Sequence, residues 1–547
     1  MRILVLNLTR LGDLLQSQPT VAGLTARGHR VGLACLENFA PAAELMQGLD
    51  CVFPFPGARL LARLDQDWRL ALASYQEALD RVRREFAPEL VINLTPSEPA
   101  RLMAMSVGAQ QTRGFALDDH GFNADTSAWA AFLQLASTSR GASPFNIVDI
   151  FRRIGGLGGA PDGQGGFGLR GPAEAARSEA LERLRGLLPA HPARGYVALQ
   201  LGASEDRRRW PVERFAQVAR GLCDAGFVPV LVGTTAEQPL GQRLRDQAGA
   251  SVIDLMGATD LPELAAVLAN CRLLITNDTG TMHLAAGLSI PCLAIFLATA
   301  QPWDTGPYLP GSICLEPDLP CHPCAFGQDC GQMSERGEAC RRAIAPQTVL
   351  ALALGLLGCG PSEYGQECGQ ARELAAPPLA GARVWRSQIG ADGLMDLFSL
   401  SRHEAEDRTR LIRLQRDLYR RYLDGDGLGH AARPAGLSPE TAAPMAAALR
   451  SASEFLFLLE RQGQLLDRDP LKSVKAKFLA TWQRVQNCLG ADPRLAVLSS
   501  LWMFESERPG LGLPDIVALA ARFRQLTEAL GAALDIGTNN ASNAADH

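Results

Sequence analysis

Three short stretches of this 547-residue chain carry residue types that could do chemistry together. The first is Arg10-Leu11-Gly12-Asp13, which follows the apolar run Ile3–Leu8. The second is the cationic run Asp206-Arg207-Arg208-Arg209-Trp210-Pro211. The third is Leu273 to Gly287, LLITNDTGTMHLAAG, where an apolar run stops at Asn277-Asp278-Thr279-Gly280 before a helical pattern starts. A strand, a tight polar turn and a helix point unpaired backbone N–H groups and a positive helix end into one small space, which suits a phosphate or diphosphate. The local pattern on its own favours an ordinary helix cap, with Asp278 or Thr279 as N-cap. Asp13, after a strand in a Gly-containing turn, is a candidate general base, set against a cap for a helix starting at Leu14.

Around these stretches the chain alternates short apolar runs with helical patterns. Strands are expected at Ile3–Leu8, Arg30–Ala34 and Leu90–Asn93, then at Tyr196–Leu201, Val228–Val232, Ser251–Asp254, Leu273–Thr276 and Pro291–Phe296. Alternation of this kind predicts α/β architecture, with parallel sheets covered by helices on both faces. Ligands of such sheets lie beyond the carboxyl ends of the strands, where all three stretches fall. Glycine-rich segments at 155–171 and 358–382 read as linkers. Five regions follow: 1–155 as a first Rossmann-like domain, 156–194 as a connecting segment and 195–357 as a second Rossmann-like domain. Residues 358–383 form a further linker, and 384–547 an all-helical extension with a frayed tail after Gly537.

Composition narrows the class. Hydrophobic content of 47% and charged content of 20% describe globular material in two to four domains, and a net charge of −5 gives no electrostatic case for nucleic acid. The apolar run at the amino terminus is too short for a signal-peptide core, and Val349–Leu357 is about half a membrane span. A cytoplasmic setting with mostly reduced cysteines is therefore expected, with contact to a membrane surface left open. Only Lys472, Lys475 and Lys477 among 53 basic residues are lysines, and their stretch reads as a solvated helix face.

With these residues in view, the chain resembles glycosyltransferase family 9, the lipopolysaccharide heptosyltransferases. The resemblance rests on Arg10-Leu11-Gly12-Asp13 with Pro19, on Arg208-Arg209-Trp210-Pro211, on Asp278 through Ala286, and on Gln301 to Pro307 (QPWDTGP), which is similar to the family's closing loop. It spans about residues 1–355. It implies a GT-B architecture, two Rossmann-like domains facing a cleft, and an inverting, metal-independent transfer of a heptose. The donor would be ADP-linked and the acceptor a lipid-linked lipopolysaccharide core oligosaccharide, with no cofactor. Asp13 is then the base and Arg10 and Gly12 belong to the acceptor-side loop. Arg208, where the family usually has Lys, keeps the charge that offsets a leaving diphosphate but is no proton donor. Asp278, Thr279, Gly280 and Thr281 would hold the diphosphate, or in the case of Asp278 the turn or the sugar. Glu237 would take the ribose hydroxyls and Met256 would present backbone groups to the base. His283, at the helix start, reads first as a hydrogen-bonded structural residue. Another nucleotide sugar, another surface glycan, or a non-catalytic glycan-binding scaffold are the rival readings.

The cysteines Cys314, Cys321, Cys324, Cys330 and Cys340 contain one C-x-x-C pair, a competent half of a structural zinc site. The remaining intervals fit no standard finger, and free thiols are the favoured reading, with no catalytic metal.

Overall fold

A computed structural model describes residues 1–138, 143–158, 167–188, 193–248, 251–327, 329–331, 333–334, 337–359, 379, 381–428 and 435–535. The middle of the glycine-rich stretch at 155–171, nearly all of the proposed linker at 358–382 and the tail after Gly537 lie outside them. The chain forms two compact units, Met1–Ala116 with Phe145–Arg402, and Leu117–Pro144 with His403–His547.

The first unit contains two parallel sheets. In the first sheet β1 (Arg2–Asn7), β2 (Arg30–Leu36), β3 (Cys51–Phe55), β4 (Leu90–Asn93) and β5 (Gln111–Gly114) lie in the order β3-β2-β1-β4-β5. β1 is central and its Ile3–Leu6 run is fully buried, as a strand covered on both faces requires. Leu4 and Leu6 pack with Phe53, Val91 and the inner face of the Trp68–Glu85 helix (Leu79, Val82). Asp67 starts that helix by accepting the Arg69 N–H at 2.9 Å.

The second sheet runs β15-β14-β11-β10-β9-β6-β7-β8. Its parallel part is β6 (Gly195–Gln200), β7 (Phe227–Val232), β8 (Ile253–Asp254), β9 (Cys271–Asn277), β10 (Cys292–Ile295) and β11 (Ile313–Pro317). A short ribbon, β12 (Met333–Ser334) with β13 (Gly337–Glu338), stands apart. Where the sequence reading expects only helices from 384 onward, β14 (Ala382–Ile389) and β15 (Met395–Ser399) form a hairpin that extends the sheet antiparallel to β11, with Cys314 opposite Trp385. Charged residues hide this strand from a hydrophobicity pattern. Arg383 reaches Asp318 at 2.9 Å, and the buried Trp385 donates its Nε1–H to Glu316 at 3.1 Å. Two Rossmann-like sheets in one unit are the α/β architecture expected.

The second unit is helical. The expected first domain, 1–155, loses residues 117–144 to it. The Ala128–Thr138 helix carries Trp129, whose Nε1–H donates to Asp424 at 2.9 Å, and Phe132, edge-on to Tyr419 at 6.0 Å. An apolar helix looks the same in sequence whichever core receives it. The Asp407–Asp424, Pro439–Arg468, Lys472–Leu489, Ala496–Ser506 and Leu513–Asp535 helices complete the unit. The Pro439–Arg468 helix buries Leu449, Leu456 and Leu459, while the Leu513–Asp535 helix packed with it buries Phe523, Leu526 and Leu530. Among the described residues it is the one helix long and apolar enough to cross a membrane by length and composition. A helix packed in a soluble core passes the same test.

Candidate active site

The first corner of the site is the end of β1. Asn7 is buried and holds the loop from inside: its Nδ2 donates to the Asp13 carbonyl at 3.0 Å, and its Oδ1 accepts the Thr9 N–H at 3.2 Å together with the Thr9 hydroxyl. Leu8 N–H donates to Thr95 Oγ1 at 2.9 Å, tying this loop to the end of β4. Arg10, in extended backbone, is the N-cap of the Leu11–Gln16 helix and gives it no side-chain cap. Asp13 is the third residue of that helix, so it does not cap a helix starting at Leu14. Its carboxylate accepts hydrogen bonds from the Arg10 backbone and the Thr9 side chain. Burial, reinforced by the negative charge of Asp278, raises its pKa to about 6 against the opposing pull of Arg10 and these hydrogen bonds. That is the range for a general base working near neutrality.

The second corner is the end of β9. Thr279, extended, precedes the Gly280–Gly287 helix and makes no side-chain cap. Met282 N–H donates to the Thr279 carbonyl at 3.1 Å, and the Gly280 and Thr281 amides are left to another acceptor. The Thr276 and Thr279 hydroxyls lie 3.2 Å apart, and Thr281 Oγ1 donates to Gln200 Oε1 at 3.4 Å. The two corners touch through glycines. A Cβ on Gly12 would lie 2.7 Å from His283 Cδ2, and one on Gly280 would lie 3.3 Å from Leu11 Cδ2 and 3.5 Å from the Gly12 nitrogen. No larger residue lets two helix starts approach this closely.

Of the three cations in the Arg207–Arg209 run, Arg208 is the one buried at this junction, 6% exposed. Its Nε donates to Thr299 Oγ1 at 2.9 Å and its Nη1 to Ser204 Oγ at 3.1 Å, while Nη1 lies 3.7 Å from Asp278 Oδ2. Nη2 is buried with no partner among the described residues. A buried guanidinium N–H without an acceptor is costly, and an anion at this point would satisfy it. Arg207 pairs with Glu205 at 2.8 Å and Arg209 with Asp206 at 3.1 Å. Arg10 lies close enough to Glu205 to help hold that carboxyl below its ordinary pKa, an effect led by the Arg207 hydrogen bond.

Sequence reasoning missed Asn277. Its Oδ1 accepts the Trp210 N–H at 3.0 Å, and its Nδ2 donates to the carbonyls of Leu201 (2.9 Å) and Gly202 (3.0 Å). One buried amide therefore ties β9, the loop after β6 and the start of the helix behind Arg208. The available signal was an Asn at the end of a buried strand, since such an amide must find partners.

Glu237 sits in a capping box, where its Oε2 accepts the Thr234 N–H at 2.7 Å and Gln200 Nε2 at 3.2 Å. A Cβ on Gly202 would lie 1.4 Å from Glu237 Oε1, so glycine there makes room for the carboxylate. Met256 already uses both backbone groups: N–H to Asp254 Oδ1 at 3.0 Å, and carbonyl from Gln238 Nε2 at 3.0 Å. Only the second lone pair of that carbonyl is left for a ligand. His283 is not the hydrogen-bonded residue expected. Its Nδ1 is buried without a partner among the described residues, and burial lowers its pKa to about 4, so it is neutral.

All five cysteines of this stretch are free thiols. Cys314 lies inside β11, and burial raises its thiol pKa strongly. Among the described residues no three of Cys314, Cys321, Cys324, Cys330 and Cys340 bring their sulfurs within metal-ligand reach of one another. The strand and the Ala339–Ala343 helix fix Cys314 and Cys340 independently of the loop between them.

Residues 159–332 match the family described as glycosyltransferase family 9 (heptosyltransferase). The lipooligosaccharide heptosyltransferase 2 of Haemophilus influenzae is 30% identical over 135 residues, 24% of this chain and 38% of that protein. The lipopolysaccharide heptosyltransferase 1 of Pseudomonas aeruginosa is 34% identical over 144 residues, 25% and 38% respectively. The matched stretch thus spans well under half the length of either relative. Among solved structures, E. coli ADP-heptose lps heptosyltransferase II is similar at 20% identity and a TM-score of 0.48, covering 65% of this chain and 98% of that one. A glycosyltransferase family 9 structure from Veillonella parvula is similar at 22% identity and a TM-score of 0.47, covering 56% and 83%. Through residues 159–332, the region that carries the Arg208 and Asp278–His283 stretches, the chain is similar to glycosyltransferase family 9.

Proposed function

We propose that the chain is an inverting, metal-independent glycosyltransferase. It moves a heptose from an ADP-heptose-like donor to a lipid-linked lipopolysaccharide core acceptor at the cytoplasmic face of a membrane. The observation that carries this reading is the junction of the two corners: a half-buried carboxylate with a pKa of about 6 beside a helix start without a side-chain cap and a buried guanidinium with a vacant N–H. Asp13 takes the proton of the acceptor hydroxyl as that oxygen attacks the anomeric carbon. The bond from that carbon to the diphosphate breaks on the opposite face, and the configuration inverts. The departing negative charge falls to Arg208 and the first-turn amides after Thr279. A guanidinium is no proton donor to the leaving group, so the nucleoside diphosphate leaves as the anion. Glu237 Oε1 and the Met256 carbonyl supply acceptors for the ribose and the base.

The test is transfer itself. Incubation with ADP-heptose and a core acceptor should release ADP and add one heptose by mass. Asp13→Ala should lower turnover about 10²–10⁴-fold, the range for losing a general base, with ADP binding by calorimetry unchanged. Turnover near normal in that variant rules out Asp13 as the base. Absence of transfer from every nucleotide sugar tried overturns the enzymatic reading.

A further inference from the structure

The helical unit holds a second feature that the transfer reaction does not use. The Pro439–Arg468 and Lys472–Leu489 helices are joined by the short turn Asp469-Pro470-Leu471. Residues 461–484 carry six cations (Arg461, Arg468, Lys472, Lys475, Lys477, Arg484) against two acids (Asp467, Asp469), a local net of +4 in a chain of net −5. All three lysines of the chain are here.

These cations differ from others in the same unit. Arg420, Arg421 and Arg524 each hold a carboxylate at 3.2, 2.9 and 2.7 Å. Arg468, Lys472, Lys475 and Lys477 make no ion pair among the described residues, and all four are exposed. Large apolar side chains stand among them: Leu465, Leu471 and Leu479 are 51%, 52% and 54% exposed, and Phe457 and Leu458 each 44%. The spacing puts them on common stripes. Leu458, Arg461, Leu465 and Arg468 recur at helical intervals of three and four, as do Lys472, Lys475 and Leu479. Arg461 lies over the Phe457 ring at 5.1 Å, so its stem covers apolar surface while its charge stays outward.

A merely solvated helix face accounts for the lysines but leaves the leucines unexplained. Nucleic acid or an acidic polymer would take the charges and leave the leucines in water. A bilayer with anionic headgroups accepts both, with leucines at the acyl boundary and cations among the phosphates.

We propose that the tip of this hairpin, residues 457–479, docks on an anionic lipid bilayer. The inference draws its purpose from the glycosyltransferase reading, whose acceptor is lipid-borne, but its chemistry stands apart from the transfer site. The test sediments the full chain with vesicles of phosphatidylcholine alone and of phosphatidylcholine with phosphatidylglycerol. Binding should require phosphatidylglycerol and weaken as salt rises. The triple variant Lys472→Ala, Lys475→Ala, Lys477→Ala removes exposed, unpaired side chains and should still fold. At roughly fivefold per lysine it should bind about a hundredfold more weakly. Leu465→Ser with Leu479→Ser should weaken binding that remains at high salt. Wild-type-like sedimentation of the lysine variant overturns the proposal. So does indifference to phosphatidylglycerol, or binding to DNA or an acidic protein with none to vesicles. ADP binding measured on the same preparations separates the two readings: its loss in the wild type counts against the transferase alone.

Discussion

The two corners of the site use one local plan to opposite ends. Each has a buried strand, a polar turn and a helix whose first residue follows an extended N-cap lacking a side-chain hydrogen bond, Arg10 in one and Thr279 in the other. In the first corner the helix carries an acid at its third position, and that acid accepts hydrogen bonds from its own loop. In the second, glycine and threonine occupy the equivalent turn, and the Gly280 and Thr281 amides receive no side-chain cap from Thr279. A carboxylate that closes a helix start on itself is held in one place. A helix start left open is a place for someone else's negative charge. Packing the two together through Gly12 and Gly280 sets the proposed base against the proposed anion cradle, and it also sets Asp13 near Asp278, which helps raise the pKa of its carboxyl.

The comparison breaks most readily at the cation. Arg208→Ala removes the charge beside the open corner and should lower kcat about 10²–10³-fold, as deletion of one leaving-charge stabiliser does. It should also weaken ADP binding, a loss that Asp13→Ala should not share. Equal effects of both variants on ADP affinity would mean the two corners are not divided as described.

The next effect is on stability and has a definite sign. The folded-state pKa of Asp13, about 6, lies above the ordinary aspartate value of 3.8, so the folded chain binds this proton more tightly than the unfolded chain. Its contribution is full below about pH 4 and is lost as pH rises through about 6. Asp13→Asn should therefore be more stable than the wild type at pH 8, by up to about 3 kcal/mol, with little difference at pH 4. Melting curves at the two pH values check this. A deficit for the variant at pH 8 would show that the carboxylate is not strained by burial.

The smallest effect sharpens the contact itself. Gly12→Ala places a methyl 2.7 Å from the His283 ring and should cost about 1–3 kcal/mol of stability as overpacking. Because the two corners must part to admit it, transfer should fall more than ADP affinity. Glycine at 108, where a Cβ would meet nothing within 4 Å but φ is +75°, serves as a control that strains the backbone without touching the site.

Much of the molecule was legible in the chain. The buried runs of β1, β6, β7, β9 and β10 are nearly all apolar because both faces of a parallel sheet are covered, so periodicity could find them. Asp13, Arg208 and Asp278–Thr281 were legible as strand-end polar residues, because an α/β sheet presents its ligands at those ends. The β14–β15 hairpin was not, since Arg383 finds its partners, Asp318 and the Pro317 carbonyl, only across the sheet. Asn277 was passed over for the same reason, as its three partners come from Leu201, Gly202 and Trp210. The Ala128–Thr138 helix was legible as a helix, but not as part of the second unit.

By itself the sequence determined which segments must be strands and helices, and which carry charge or hydroxyls at strand ends, because those depend on local period and side-chain type. Only the tertiary structure decided that Asp13 is half-buried near Asp278, that Arg208 rather than Arg207 or Arg209 turns inward, and that four cations of the 461–484 hairpin have no ion-pair partner among the described residues. Burial and pairing depend on what the rest of the chain brings within a few ångströms, and no window of neighbouring residues contains that information.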